Sequence, residues 1–369
     1  MLDKLKINKK LLRELDIIVI LLAILIVVFG ALNIYSATKG INLCKRQLIW
    51  LVVGLVVVYL ILTIDYHLIK NYTPLIYWSC VVLLLLNDFV LGKISKGARS
   101  WIKIGGVSIQ PSEFAKIGMM LMLAKKIDDM DGKINEPKNL LTLLIYAGIP
   151  MVLIVIQPDM GMTMVCFFIV LGIFFVSGLD IKTIIGGLIS LTLLIAITWN
   201  SGLIKPYQQQ RLTSFLNPEA DQLGANLQLT QSLIGIGSGG IFGKGFTQGT
   251  QTSLSFVPEA HTDFIFAVVG EEWGLVGSIV LLILYSILIF RLIKISRTAK
   301  DLFGSMLCIG IVSTFLFSLL QNIGMTIGIM PITGITLPLM SYGGSSILTS
   351  LIALGLALNV GMRRKKINF

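Results

Sequence analysis

The sequence predicts an all-α membrane protein that crosses the bilayer about ten times and keeps both termini in the cytoplasm. Of its 369 residues, 55% are hydrophobic and only 13% are charged, whereas a soluble domain carries about 25% charged residues. The apolar residues form long unbroken runs such as 17–34, and a membrane β-barrel would instead show alternating segments of about ten residues. The composition therefore excludes a soluble fold, and the run lengths favour helices, which satisfy their own backbone groups in lipid.

The spanning helices are predicted where an apolar run approaches the ~20 residues that cross a bilayer. They cover residues 16–35, 48–64, 75–91, 111–124, 140–156, 162–178, 184–200, 264–290, 304–320 and 347–360. The first run follows five cations and lacks a small-residue cleavage site, so we expect it to remain as the first helix. With the N-terminus inside, 19 of the 30 Lys and Arg residues fall on inner segments and ten on outer segments. The net charge of +11 therefore indicates membrane topology and not nucleic-acid binding.

The outer segment 92–110 carries four cations and no acid, although positive charge is normally sparse on that side of the membrane. Trp101 stands in it between Arg99 and Lys103. A tryptophan there could anchor the chain at the membrane interface. It could instead cover the face of a sugar while the cations hold a phosphate headgroup, and the sequence leaves both interpretations open.

The fourth helix is predicted to begin at Pro111, because proline suits the first helical turn. Its start would then direct the positive end of the helix dipole to the outer surface, which attracts anions. Glu113 and Lys116 are three residues apart and share a helix face, and Lys116 lies ~7 Å below the helix start. Charges at that depth usually face a cavity or each other, so the pair either lines a polar site or neutralises itself.

The outer loop of residues 201–262 is far longer than the ~4–6 residues of a usual connection, which predicts a functional outer face. Its glycine-rich run, 235–245, departs from a nucleotide-binding loop at two required positions, so we interpret it as flexible backbone that lines an outer groove. The loop leads through Glu259 and His261 to Asp263. Asp263 could cap the next helix or act as a general base.

Three further features complete the pattern. Asp159, which follows Gln157-Pro158, is interpreted as a turn-forming residue. Residues 328–346 are apolar but interrupted by prolines and glycines, which predicts a re-entrant or broken helix and not a regular span. The four cysteines are far apart, so the sequence predicts neither a disulfide framework nor a metal site, and no organic cofactor is indicated.

Three motifs resemble signatures of the SEDS family, which comprises the RodA, FtsW and SpoVE proteins. They are Gly97-Ala98-Arg99-Ser100-Trp101 continuing to Lys116, Pro258-Glu259-Ala260-His261-Thr262-Asp263-Phe264-Ile265-Phe266, and residues 338–346. The resemblance covers nearly the whole chain, which we treat as one domain, 1–369. Residues 321–328 look more like the elongation member RodA than the division member FtsW, whereas 336–340 depart from the family pattern.

The resemblance implies a peptidoglycan glycosyltransferase that polymerises lipid II on the outer face of the bacterial cytoplasmic membrane during cell elongation. It implies that Asp263 is the general base and that Glu113 and Lys116 order the cavity. The residues expected to bind the substrate and its diphosphate are Arg46, Arg99, Trp101, Lys103, Arg211, Glu259 and His261. A divalent cation, Mg²⁺ or Mn²⁺, could help to neutralise the diphosphate. The expected partners are lipid II, the growing glycan strand, a class B penicillin-binding protein and other elongation-complex proteins.

Two other functions fit a polytopic chain with a buried charge pair. One is a lipid II flippase or another ion-coupled transporter, which should place acids along a path that reaches both faces. Apart from Asp88, the inner halves of the predicted helices carry almost no acids. The other is a scaffold that only recruits a transpeptidase, and a scaffold should tolerate the Asp263→Asn substitution.

Overall fold

The fold is a helical bundle with a small sheet and two further helices at one end. The computed structural model describes residues 13–95, 98–105, 107–199, 209, 213, 215 and 225–364. The helices are α1 Ile17–Thr38, α2 Ile41–Thr63, α3 Tyr66–Leu86, α4 Pro111–Asp129, α5 Pro137–Ile156, α6 Met160–Val176, α7 Ile181–Trp199, α8 Ala225–Gly239, α9 Thr250–Ser253, α10 Ile265–Thr298, α11 Leu302–Thr326 and α12 Gly344–Met362. A π-helical turn, Asn87–Leu91, extends α3, and the strands are β1 Lys93–Ser95, β2 Ala98–Ile104 and β3 Val107–Ile109.

All ten predicted helices are present in the described residues, as α1 to α7 and α10 to α12, and the predicted fold class is confirmed. Seven helices of the described chain are long and apolar enough to cross a membrane, and α6 and α7 contain shorter apolar segments. The outward surface of the bundle is apolar: Leu21, Val52 and Leu193 are 59%, 61% and 58% exposed. Such a surface is solvated by lipid, so the chain is a multi-pass membrane protein.

Both described ends of the chain lie at the same end of the bundle. Residues 13–18, before and at the start of α1, line one depression together with Gly361 and Arg364 at the end of α12. An even number of spans produces this arrangement. We call this end of the bundle the inner end and the opposite end the outer end.

Within the outer segment 92–110, the strands β1, β2 and β3 form an antiparallel sheet in that order, which an all-α prediction missed. The register pairs Trp101 with Lys93 and Lys103 with Ser108. Two of the three strands have only three residues each, so they are too short to show a clear alternation of polar and apolar residues. The sheet places β2 directly before the start of α4.

Helix α10 is interrupted at Gly274, whose backbone is non-helical with φ 65° and ψ −159°. The outer loop supplies the hydrogen bonds that the interrupted helix lacks. Leu275 and Val276 donate their N–H groups to the carbonyls of Gly240 and Ile241, at 3.0 and 3.1 Å. In return, the carbonyls of Glu271 and Glu272 each accept an N–H from residues 244–245, at 3.0 Å. The glycine-rich run is therefore packed against α10, and our interpretation of it as flexible groove lining was wrong.

Glu271 binds residues 244 and 250–252 of the loop, because its carboxylate accepts hydrogen bonds from three side chains and two backbone N–H groups. Its carboxylate accepts from Lys244 Nζ at 2.8 Å and from the Gln251 and Thr252 N–H groups at 2.8 and 2.9 Å. The Thr250 and Thr252 hydroxyls add contacts at 3.2 and 2.7 Å. Because the loop continues from here to Asp263, this anchoring fixes the approach to the site described below.

A test of this docking is the substitution Gly243→Ala. A Cβ at Gly243 would lie 2.2 Å from the Glu272 carbonyl oxygen, and the residue has a φ of +78°, so a side chain there clashes and strains the backbone by about 1–3 kcal/mol. We expect a lower thermal unfolding midpoint in detergent. The matched control is Gly237→Ala on α8, where a Cβ meets no atom within 4 Å and alanine favours the helix. Equal midpoints for the two variants would contradict the docking.

The segment between α11 and α12, residues 327–343, contains no regular helix, as its proline and glycine content predicts. Leu337, Leu339 and Met340 in it are fully buried. Its backbone carbonyls are satisfied by side-chain amides: Gln321 Nε2 donates to Pro331 at 2.9 Å and Asn322 Nδ2 donates to Ile335 at 2.8 Å. Irregular backbone is tolerated at membrane depth when protein surrounds it in this way.

Candidate active site

The outer end of the bundle contains a cavity of about 940 Å³, which we call the outer cavity. It is bounded by β2, the first turns of α4, α6 and α12, and residues 261–263 and 333–343. Seven of the predicted site residues line it: Arg46, Trp101, Lys103, Glu113, Lys116, His261 and Asp263. Residues as distant in the sequence as Arg46 and Asp263 thus meet around one space.

Three predicted residues are not placed in this cavity. Arg211 lies outside the described residues, and Arg99 contributes its backbone to β2 while its side chain lies outside the described part. Glu259 is not among the cavity-lining residues. It adopts a left-handed φ of 56°, and its carboxylate accepts a hydrogen bond from Thr262 Oγ1 at 3.1 Å. The geometry therefore gives Glu259 a role in shaping the turn before Asp263.

Asp263 borders the cavity and directly precedes Phe264, which occupies the N-cap position of α10. Its backbone carbonyl accepts a hydrogen bond from Asn322 Nδ2 at 2.8 Å. A Cβ built at Gly334 would lie 3.4 Å from Asp263 Oδ2, so the carboxylate lies close to the backbone of the irregular segment. The carboxyl group of Asp263 therefore lies at the cavity, and its role as general base stays a prediction.

The irregular segment also fixes the residues immediately before Asp263. Ser341 Oγ donates to the Thr262 carbonyl at 2.6 Å, and the Tyr342 N–H donates to the His261 carbonyl at 2.9 Å. The His261 and Tyr342 rings lie with their centroids 6.0 Å apart. Hydrogen bonds to the carbonyls of His261, Thr262 and Asp263 hold the backbone at and before Asp263 in one position, and a fixed backbone favours a fixed side-chain position.

Glu113 and Lys116 form the predicted buried pair on the first turns of α4. Lys116 Nζ lies 2.6 Å from Glu113 Oε2, and the two side chains are 9% and 5% exposed. Thr349 Oγ1 on α12 donates to the same carboxylate oxygen at 2.6 Å. Both charged residues line the cavity, so the pair neutralises itself and lines the polar site, and the two interpretations do not exclude each other.

The sequence undervalued Asp159. It lines the outer cavity, caps α6 by accepting the Met162 N–H at 3.0 Å, and accepts from Gln110 Nε2 at 3.1 Å. Desolvation raises the pKa of Asp159, and the hydrogen bond from Met162 opposes that rise. The Gln110 backbone N–H donates in turn to Ser345 Oγ at 3.1 Å, so Gln110 ties β3, α6 and α12 together at the cavity.

The charges of the cavity are arranged with cations at its exposed parts and the ion pair at depth. Arg46 on α2 and Lys103 on β2 are exposed, and within the described part of the chain neither has an acid at ion-pair distance. Trp101 is partly exposed beside Lys103. In the part of the chain that the structure describes, no group of three or more His, Cys, Asp or Glu residues could hold a metal ion. The site therefore offers a carboxylate, cationic donors and an aromatic face around a space large enough for a sugar and a diphosphate.

Comparisons with known proteins cover almost the whole chain. The model of the family described as "Cell cycle protein" (FTSW_RODA_SPOVE) matches residues 13–366. The chain is 38% identical over 356 residues to "Peptidoglycan glycosyltransferase MrdB" of Escherichia coli strain K12, which covers 96% of this chain and 95% of that protein. It is 32% identical over 431 aligned residues to "Peptidoglycan glycosyltransferase RodA" of Treponema pallidum, with 95% and 98% covered.

Solved structures agree with the sequence relatives. A chain described under "Structural coordination of polymerization and crosslinking by a peptidoglycan synthase complex" superposes with a TM-score of 0.83 at 32% identity, covering 95% of this chain and 98% of that one. The crystal structure of the rod shape determining protein RodA of Thermus thermophilus superposes with a TM-score of 0.73 at 30% identity, with 95% and 98% covered.

Proposed function

The chain belongs to the FtsW, RodA and SpoVE family of cell cycle proteins, and on that premise we propose that it polymerises lipid II in the outer cavity with Asp263 as general base. It is a peptidoglycan glycosyltransferase, as its relatives from Escherichia coli and Treponema pallidum are named. The observation that carries the proposal is the position of Asp263, which borders the cavity. The exposed cations Arg46 and Lys103 line the same cavity, and we call them the cationic mouth. The proposed location is the bacterial cytoplasmic membrane, with the cavity on its outer face, and the proposed role is cell elongation.

The reaction requires one bond to form and one to break. The 4-hydroxyl oxygen of an acceptor sugar bonds to the anomeric carbon of the donor lipid II, while the bond from that carbon to the lipid diphosphate breaks. Asp263 takes the hydroxyl proton as the new bond forms, and the diphosphate leaves with the bonding electrons. Arg46 and Lys103, together with Arg99 and Arg211, are proposed to stabilise the negative charge that grows on the diphosphate.

The remaining cavity residues position the substrate in this proposal. Trp101 and His261 line the cavity and supply ring surfaces that can cover a sugar. The Glu113–Lys116 pair is bonded to Thr349 of α12. In this proposal the pair fixes the deep part of the cavity surface that the donor lipid II contacts. Mg²⁺ or Mn²⁺ enters the proposal only as a counterion of the substrate's diphosphate, because the described residues offer no three-ligand cluster.

A transpeptidase partner is also part of the proposal. One similar solved chain comes from work on a peptidoglycan synthase complex that couples polymerization and crosslinking. By that likeness we propose that this chain pairs with a class B penicillin-binding protein, and that other elongation proteins join the pair. The growing glycan strand would leave from the outer cavity.

The test of the function is glycan-chain synthesis from labelled lipid II by the purified protein together with its transpeptidase partner. An inhibitor of classical glycosyltransferases is added to remove any contribution from contaminating enzymes. We expect inhibitor-resistant polymer. In parallel, the protein in vesicles is assayed for movement of labelled lipid II between leaflets. Movement without polymer would support the transporter, and neither activity would support the scaffold.

The cationic mouth gives a second prediction. Arg46→Ala and Lys103→Ala should each raise the KM for lipid II about tenfold, because each removes one charge-assisted contact to the diphosphate. The matched control is Lys45→Ala, which removes a neighbouring exposed cation of α2 that does not line the cavity. Both mouth variants should keep the wild-type unfolding midpoint, since both side chains are exposed. An equal change of KM in all three variants would refute specific binding of the diphosphate by Arg46 and Lys103.

A further inference from the structure

A second concave region lies at the inner end, remote from the outer cavity. This inner depression has a volume of about 330 Å³ and is lined by residues 13–18, Arg291, Lys294, Ile295, Gly361 and Arg364. It lies where the start of α1, the last turns of α10 and the end of α12 meet. The reaction proposed for the outer cavity uses none of these residues.

The depression is cationic even after its internal ion pairs are counted. Arg291 pairs with Asp16 at 3.4 Å, and Arg364 pairs with Glu14 at 2.8 Å. The two acids thus engage two of the four cations that line the depression. Arg13 and Lys294 are exposed, and among the described residues neither has an acid at ion-pair distance. Two positive charges therefore face a concave space with no counter-charge assigned to them.

One side of the depression is apolar. Ile17 and Ile18 line it and are 57% and 40% exposed, and they begin the first membrane helix. The lining therefore changes from charged to apolar in the direction of the bilayer. A free phosphate or nucleotide would leave this apolar surface in water, whereas a lipid places its phosphate among the cations and its glycerol and acyl chains against the isoleucines.

We propose that the inner depression binds the phosphate headgroup of an anionic phospholipid of the inner leaflet. Basic pockets between membrane helices at a cytoplasmic surface suit such headgroups, because the phosphate gains charge-assisted contacts that a flat surface does not offer. Arg13 and Lys294 contact the phosphate. Arg291 and Arg364, held in place by Asp16 and Glu14, form the walls.

The test is native mass spectrometry of the purified full-length protein in neutral detergent with added phosphatidylglycerol. Phosphatidylcholine, glycerol phosphate and inorganic phosphate are tested in separate arms. The Arg13→Gln/Lys294→Gln variant should bind phosphatidylglycerol at least about tenfold more weakly than wild type. The matched control, Lys138→Gln/Lys182→Gln, removes two exposed cations that do not line the depression and should bind as wild type does.

Thermal unfolding without added lipid checks that both double variants are folded. Equal loss of binding in the two double variants would overturn the proposal, because it would assign the affinity to the general positive charge of the inner surface. Displacement of phosphatidylglycerol by inorganic phosphate or glycerol phosphate at similar concentrations would also overturn it, since the site would then recognise phosphate without the lipid. Binding of phosphatidylcholine as strong as that of phosphatidylglycerol would overturn it as well.

Discussion

Asp263→Asn is expected to lower the rate of glycan polymerisation by about 10²- to 10⁴-fold, the range that a general base contributes. The amide has nearly the same shape as the carboxylate but cannot accept the proton of the attacking hydroxyl. The backbone contacts around Asp263, from Asn322 and from Ser341 to Thr262, do not involve its carboxylate, and the near-isosteric amide leaves them in place. Lipid II affinity should remain near the wild-type value, because the loss concerns the transition state.

The rate is measured from labelled lipid II at saturating concentration, and binding is measured separately in the same detergent. Asp180→Asn is the matched control, since it removes an exposed carboxylate between α6 and α7, outside the outer cavity. The control should retain full activity. A fully active Asp263→Asn variant would exclude Asp263 as the base.

Lys116→Met is expected to destabilise the protein by about 3–5 kcal/mol, because it leaves the buried Glu113 carboxylate without its cation. Thr349 still donates one hydrogen bond to that carboxylate, but a hydroxyl does not replace a positive charge. The double variant Glu113→Gln/Lys116→Met should recover most of this loss, since it leaves no unpaired charge. It should nevertheless remain poorly active if the charged pair orders the donor.

The same helix provides the control for this prediction. Lys125 lies 3.9 Å from Asp129, with side chains 19% and 39% exposed, and a pair of this kind contributes at most about 1 kcal/mol. The unfolding midpoints of Lys116→Met, Lys125→Met and the double variant are compared in one detergent. If Lys116→Met is no less stable than Lys125→Met, the Glu113–Lys116 pair does not have the buried role assigned to it.

Apolar run length predicted the helices because lipid imposes a minimum length and leaves few other solutions. Apolar run length could not predict the sheet formed by β1, β2 and β3. These short strands are stabilised by pairing with one another, and they are too short to show a clear alternation of polar and apolar residues. It also missed α8 and α9 in the outer loop. The docking of 240–245 on α10 depends on contacts between segments about 30 residues apart, and a glycine-rich run gives the same signal whether it is flexible or closely packed.

For the site, helical spacing alone predicted that Glu113 and Lys116 share a face, because i and i+3 residues do so in every helix. That Glu113 and Lys116 lie around one cavity with Asp263 and Trp101 depends on the tertiary structure, and only the family resemblance suggested it. Asp159 was undervalued because a capping acid and a cavity-lining acid look alike in sequence, and here one residue does both. Glu259 does not line the outer cavity, because proximity in sequence to Asp263 does not fix the direction of a side chain; its role in substrate binding stays a prediction.

The most direct test of the central claim is to locate bound lipid II with a photo-crosslinking residue. One variant carries it in place of Ser108, which is exposed and lines the outer cavity, and another in place of Lys138, which is exposed near the inner end. Polymerisation in the outer cavity predicts a saturable adduct of labelled lipid II at position 108 that excess unlabelled lipid II removes, and none at position 138. Equal adducts at both positions, or an adduct at position 138 alone, would contradict the account.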